Sequence, residues 1–226
     1  PEGERVLVRS FALARQVLAD IPVVPAAPNG DPTVKLPGYE RQCSEGKACV
    51  FGPSWTDDNT IPGTGHNGCD TRNDILGMTV QDARYKGSKK CVVQSGTYEE
   101  PYFGTQETFT KGEPGATQDE VDHVIALRTA WDTGAYAWPL EKRVDFANDT
   151  ELNLVLTTKA ANAAGHDVDG DGEYARKDLG EYPGKMDMTG GDWVVWMSDA
   201  ERMQDFAARY VLVAERYGLA LTEEDV

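Results

Sequence analysis

Asp122 and His123 stand side by side in the run Glu120-Val121-Asp122-His123-Val124-Ile125-Ala126-Leu127, and two asparagines, Asn153 and Asn162, follow downstream. Oxygen-bearing side chains such as Asp122 and Asn162 suit a hard divalent ion and leave coordination positions for water and phosphate. An ion held there would polarise a phosphoryl oxygen and steady a departing alkoxide. Histidine titrates near neutrality, so His123 can take a proton from an attacking water. Taken alone, His123 reads equally as a core histidine satisfied by backbone, and Asn153 as a turn-forming residue. Together they suggest a strand carrying Asp-His, a loop, a second strand and a helix bearing Asn, arranged around one ion and one proton acceptor. Neighbours on a strand point to opposite faces, so this strand must end or kink at Asp122 and His123 for both to serve one site.

Two further stretches could meet ions or phosphates. Asp167-Val168-Asp169-Gly170-Asp171-Gly172-Glu173, with Asp178 at the twelfth position, follows the calcium-loop pattern of alternate oxygen ligands, a central glycine and a final carboxylate. Asp stands where the final Glu is usual, and no pair of long flanking helices is evident, so an acidic surface turn is the competing reading. Arg84-Tyr85-Lys86-Gly87-Ser88-Lys89-Lys90 is the densest basic patch. Arg84, Lys86, Lys89 and Lys90 are the natural landing place for a nucleic-acid backbone, or else the lysines guard an exposed hairpin edge.

The elements that must position these residues are contained in 226 residues, enough for one good core. A 40% hydrophobic fraction with five Trp and nine Tyr fits a folded domain. No apolar run approaches the roughly 20 residues that span a bilayer, so no membrane partner is expected. Pro1-Glu2-Gly3 carries neither an initiator Met nor a signal-peptide pattern, which a processed or trimmed N-terminus would explain, so missing targeting residues say little about location. The formal charge of −16 argues against tight passive binding of nucleic acid. It leaves room for an enzyme with a metal-loaded cleft, because net charge averages over surfaces a substrate never meets.

Four cysteines occur, and none has the spacing of a zinc knuckle. Pairing Cys43 with Cys49 and Cys69 with Cys91 gives two disulfides and implies an oxidising compartment. Four reduced thiols are the other reading.

Leu7, Phe11, Ala14 and Leu18 recur at helical spacing between Glu4 and Asp20. Prolines and glycines exclude long regular elements from residues 22–68. Residues 91–97 and 105–110 read as a hairpin around Pro101-Tyr102-Phe103-Gly104, and Val121 to Leu127 as a short strand. Helical stretches follow at Arg128 to Trp138 and Leu140 to Asn148, then a strand at Leu152 to Leu156 and a short helix through Lys159 to Ala164. Ser198-Asp199-Ala200-Glu201 is a capping box opening a C-terminal helix that Gly218 closes.

Residues 68–162 resemble the HNH endonuclease family of exported bacterial nucleases. The resemblance is carried by Gly68-Cys69-Asp70-Thr71-Arg72-Asn73-Asp74-Ile75-Leu76, Cys91-Val92-Val93, Ser95-Gly96-Thr97 and Val121 to Leu127. It continues through Ala130-Trp131, Gly134-Ala135, Trp138, Arg143, Phe146-Ala147-Asn148-Asp149 and Leu152-Asn153-Leu154. It implies His123 as general base, Asp122 and Asn162 as metal ligands, and Asn153 as the structural Asn that fixes the loop holding His123. Arg72 would brace the scissile phosphate through parallel hydrogen bonds, with a structural ion pair as its other reading. The family's Lys-Gly-Asp step after the last Asn is replaced here by Asn162-Ala163-Ala164-Gly165-His166-Asp167. His166 is then an additional ligand or phosphate donor, or an exposed loop histidine.

The expected fold is α+β: a ββα-metal (HNH/His-Me finger) core with added helices and a disulfide-braced N-terminal loop layer. One nuclease domain would span 1–226, with the helix and loop layer at 1–67, the core and acidic loop at 68–197, and the C-terminal helix at 198–219. The expected function is a secreted, monomeric, metal-dependent endonuclease acting on DNA, and on RNA by the same chemistry, with little sequence specificity. Mg2+ or Mn2+ would serve catalysis and Ca2+ structure. The alternative is a catalytically weakened, calcium-stabilised secreted binding protein on a nuclease scaffold.

Overall fold

The computed structural model describes residues 12–24, 36–112, 119–159, 162 and 200–222. They form a mixed α+β structure with three small sheets and two disulfides. Residues 12–18 are helical (α1), and β1 is the short strand Val23–Val24. Among the described residues of the Pro- and Gly-rich stretch that follows, no regular element occurs until α2, Thr71–Thr79. Then come β2, Gln81–Lys86, β3, Val92–Glu99, and β4, Gln106–Thr110, in one antiparallel sheet of order β2-β3-β4. β5, Asp119–His123, pairs antiparallel with β6, Leu154–Thr158. Between them lie α3, Leu127–Asp132, a 3-10 turn at Ala135–Ala137 and α4, Leu140–Ala147. The long helix α5, Ala200–Tyr217, leads to β7, Leu221–Thr222, which pairs parallel with β1. Among the described residues, no helix is long and apolar enough to cross a membrane.

β6 explains the architecture. Its Leu154 and Leu156 join Ile75, Leu76, Val93, Tyr98 and Phe109 in a core beneath α2. Val155, pointing the other way, joins Phe146, Phe206, Tyr210 and Val213 in a second core under α5. Alternation along one strand therefore gives the β5–β6 ribbon two buried faces. The cysteines pair as Cys43–Cys49, with Cα atoms 4.5 Å apart, and Cys69–Cys91, 5.3 Å apart. The second bridge ties the residue before the Asp70 cap of α2 to the start of β3.

The hairpin strands, α4 and the C-terminal helix lie close to where the sequence predicts them. Gly218 adopts φ 65°, and Leu219 N–H reaches Ala214 O at 2.9 Å, a closure that a left-handed glycine permits. Other elements differ. The strand expected at Val121 to Leu127 starts earlier and stops at His123, because Val124 N–H turns to Asn153 O and Leu127 already opens α3. The helix expected at Arg128 to Trp138 breaks at Gly134, whose φ is 148°. The strand expected at Leu152 to Leu156 is shifted to Leu154–Thr158. Leu18, expected on the packed face of α1, is 36% exposed, whereas Ala14 is buried. Neither α2 nor β2 was expected as a regular element. Leu7, Phe11, Ser198 and Asp199 lie outside the described residues.

Candidate active site

The site grows from the end of the β5–β6 ladder. Its register runs from Asp119 opposite Thr158 to His123 opposite Leu154, so Asp122 and His123 are its last two rungs. Cross-strand partners share a face. His123 thus lies on the Leu154 side, and Asp122 on the Val155 side.

His123 is set by contacts outside its own strand. Its Nε2 lies 3.0 Å from Ala147 O at the end of α4. A carbonyl only accepts, so the proton sits on Nε2 and Nδ1 is left as the ring's acceptor. Trp55 stacks on the ring, with centroids 5.9 Å apart and planes 13° apart. Burial lowers the imidazole pKa to about 4; the Ala147 bond opposes that shift and the charge of Arg41 adds to it. The neutral ring is therefore the resting form near neutrality. Arg41, Ser54, Trp55, Leu127 and Asn148 line a small, open cleft with His123.

Asn153, fully buried, holds both segments around that histidine. Its Oδ1 accepts from Ile125 N–H at 2.9 Å, and its Nδ2 donates to Phe146 O at 3.1 Å. Its own carbonyl accepts from Val124 N–H at 2.8 Å. The turn before it is organised by buried Asp149, which accepts from Glu151 N–H, Leu152 N–H, the Tyr217 hydroxyl and Arg216.

The opposite face carries the oxygen donors. Tyr102 donates to Asp122 Oδ2 at 2.6 Å. Asn162 Nδ2 donates to Glu120 Oε2 at 2.8 Å. Asn162 Oδ1 is buried and has no partner among the described residues. Glu120 and Asp122 are two positions apart on β5 and so share this face. The described residues contain no cluster of three or more His, Cys, Asp or Glu side chains arranged for a metal. An ion here would need the Asn162 amide oxygen and water as well.

The other candidates are dispersed. Arg72 on α2 donates to Asp119 O at 3.2 Å, at the opposite end of β5 from His123. Arg84 and Lys86 are exposed on β2, an edge strand. Lys89 and Lys90 are exposed in the following turn, where Lys89 Nζ donates to Gly68 O at 2.8 Å. His166, Asp167, Asp169, Asp171, Glu173 and Asp178 lie outside the described residues. Trp55, Tyr102, Ala147 and Glu120 join the neighbourhood of Asp122 and His123 without having been singled out from the sequence. Pro101-Tyr102-Phe103-Gly104 gave only a turn signal. Nothing local announces that its tyrosine meets an aspartate 20 positions away.

Comparison with known proteins supplies a family. No solved structure matches the chain. A protein of Arthroderma benhamiae described as an "uncharacterized secreted protein" is 30% identical over 158 residues, covering 70% of this chain. The matched region spans 63% of that relative's length. The profile of the family described as "GmrSD restriction endonucleases, C-terminal domain" matches residues 70–187, more than half of this chain, and the chain belongs to that family.

Proposed function

We propose that this protein is a secreted, metal-dependent endonuclease of the HNH kind, with His123 as the general base. The observation that carries the reading is the Nε2 contact of His123 with Ala147 O, which leaves Nδ1 as proton acceptor on the last rung of β5. Asp122 is the adjacent rung and faces the other side of the strand, so both meet one phosphate only around the strand's end. The family profile supports endonuclease chemistry. The protein is secreted: all four cysteines are paired, as suits an oxidising compartment, and the fungal relative is a secreted protein.

In the proposed reaction, water attacks the phosphorus of a phosphodiester and passes a proton to His123 Nδ1. The new P–O bond forms as the bond to the leaving sugar oxygen breaks, and that oxygen takes a proton from solvent. Ala147 O holds the ring through Nε2, and Asn153 holds the backbone on either side. The ββα-metal motif would consist of β5, β6 and the segment in which Lys159 and Asn162 have helical backbone.

The residues present fit a hard divalent ion. Asn162 Oδ1 is a buried oxygen without a partner among the described residues, and the carboxylates of Asp122 and Glu120 lie on the same side of the ribbon. Asp122 and Asn162 would hold Mg2+ or Mn2+, with Glu120 orienting Asn162 through its amide. When bound, the ion supplies positive charge to the phosphate and to the leaving oxygen. DNA is the proposed substrate and RNA a second one, with exposed Arg84, Lys86, Lys89 and Lys90 as backbone contacts.

A plasmid-nicking assay with Mg2+, Mn2+ and EDTA tests the proposal. Conversion of supercoiled to nicked and linear DNA with either ion, abolished by EDTA, is expected. Absence of nicking with both ions, or nicking that EDTA leaves unchanged, would overturn it.

A further inference from the structure

The β3–β4 turn is built more heavily than a chain reversal requires. At its base Glu100 is wholly buried. Glu100 Oε2 accepts from Tyr102 N–H at 3.0 Å and Phe103 N–H at 2.7 Å, while Oε1 accepts from Thr157 Oγ1 on β6 at 2.5 Å. Gly104 N–H donates to Glu100 O, and Glu100 N–H to Thr105 O. From α5, Arg202 donates to Pro101 O at 3.1 Å and to Glu99 Oε1 at 2.6 Å. The tip is therefore fastened to β6 on one side and to α5 on the other. Burying a carboxylate is costly unless its hydrogen bonds are supplied. Here the supplied bonds all fix the position of one segment, Tyr102 and its neighbours.

What that segment delivers is a single hydroxyl. The Tyr102 ring is 3% exposed and meets Phe206 edge-on at 5.9 Å. Its hydroxyl donates to Asp122 Oδ2 at 2.6 Å. Thr157 stands opposite Glu120, and Val155 opposite Asp122, so the anchor, the tyrosine contact and the two acidic residues belong to one face of the β5–β6 ribbon. A carboxylate accepting a short hydrogen bond loses freedom to rotate about its final torsion, so an incoming cation need not order it.

We infer that Tyr102 is a positioning residue that fixes the Asp122 carboxylate for a divalent cation, and that Glu100 in turn fixes Tyr102. The inference rests on the proposed role of Asp122 as a ligand. Groups that orient a ligating carboxylate typically change metal affinity by roughly 10- to 100-fold when removed. A tyrosine that served packing alone would leave ion affinity unchanged when only its hydroxyl was lost.

The test is calorimetric titration of Mn2+ into the full chain, freed of metal with EDTA and dialysed. Tyr102→Phe keeps the ring and its contact with Phe206 and removes only the hydroxyl. Its Mn2+ dissociation constant should rise about 10- to 100-fold, with a melting curve in EDTA close to that of the unaltered protein. The Mn2+ concentration needed for half-maximal nicking should rise in parallel, with the maximal rate largely restored at high Mn2+. Glu100→Gln, which leaves the hydroxyl in place but loosens its support, should weaken binding by a smaller factor. Unaltered Mn2+ affinity in Tyr102→Phe overturns the inference. Asp122→Asn separates the two levels of argument. If it abolishes Mn2+ binding while Tyr102→Phe does not, only the role of Tyr102 fails. If Asp122→Asn binds Mn2+ as before, the ligand assignment fails and the inference falls with it.

Discussion

His123 Nε2 and Ala147 O are 3.0 Å apart, and this contact joins the last rung of β5 to the last residue of α4. It separates two jobs within one ring: Nε2 anchors, and Nδ1 is the acceptor. His123→Gln divides them experimentally, because a glutamine amide can still donate to Ala147 O but has no basic nitrogen. Nicking should fall by roughly 100- to 10,000-fold in His123→Gln and in His123→Ala alike. His123→Ala should also lose about 1 kcal/mol of stability with the anchoring hydrogen bond. Urea unfolding beside the nicking assay checks both numbers. Full activity in His123→Gln would remove His123 from the chemistry.

Asn153 acts at one remove. Its amide satisfies Ile125 N–H and Phe146 O at once, and those residues flank the two sides of the His123–Ala147 contact. Asn153→Ala leaves two buried backbone groups unpaired, at about 1–3 kcal/mol each. Asn153→Asp keeps the acceptor for Ile125 but buries a carboxylate against Phe146 O, so its loss of stability above the carboxylate range of pH should be the larger. Equilibrium urea unfolding of the two variants gives the order, and the reverse order would contradict the assigned amide orientation.

How much of this was legible in the sequence depends on the range of each interaction. Ser95-Gly96-Thr97 and Thr105 to Thr110 alternate locally, so the hairpin could be read directly. The helix closed by Gly218 carries its own stop signal. By contrast, α2 has Ile75 and Leu76 as its only large buried apolar side chains, too few for a helical stripe, and its start is fixed by Asp70 Oδ1 accepting from Asn73 N–H. β2 reads Gln-Asp-Ala-Arg-Tyr-Lys and owes its strand form to pairing with β3 rather than to its own preference. In the site, the Asp122–His123 pair and the two asparagines were visible as residue types in order. Trp55, Tyr102 and Ala147 were not, because each reaches β5 from a distant segment. For Arg72 the sequence allowed two roles, and its bond to Asp119 O puts the guanidinium at the far end of the strand.

The two disulfides should differ in worth. They join positions 22 and 6 residues apart, and restricting the unfolded chain contributes more for the longer loop. Chain entropy suggests about 3 kcal/mol for Cys69–Cys91 and about 2 kcal/mol for Cys43–Cys49. Replacing each pair with serines and unfolding in urea tests the ranking. Cys69–Cys91 also secures the approach to α2, whose Arg72 meets β5 at the far end from His123, so its loss should lower stability more than the nicking rate of the folded protein. Equal stability of the two double variants would show that loop entropy does not set the order.

Asn162 gives the sharpest test of the proposed ion site, because its amide is asymmetrically satisfied. Nδ2 is bonded to Glu120, whereas Oδ1 is buried without a partner among the described residues. A buried oxygen left in that state costs free energy, about 1–3 kcal/mol. If that oxygen exists to meet a cation, the cost is recovered on binding. In EDTA, Asn162→Ala should then be scarcely less stable than the unaltered protein, since it loses one hydrogen bond but also removes the unsatisfied oxygen. With Mn2+ present the two should separate. A cation that binds only the folded chain stabilises it by mass action, by about 2.7 kcal/mol at a hundredfold excess over its dissociation constant. The unaltered protein should show that gain, and Asn162→Ala should show little of it until Mn2+ is raised further. Paired melting curves in EDTA and Mn2+ measure both quantities. A variant that gains as much from Mn2+ as the unaltered chain would mean that Asn162 Oδ1 does not touch the ion, and the oxygen donors on this face of β5 would need reassigning.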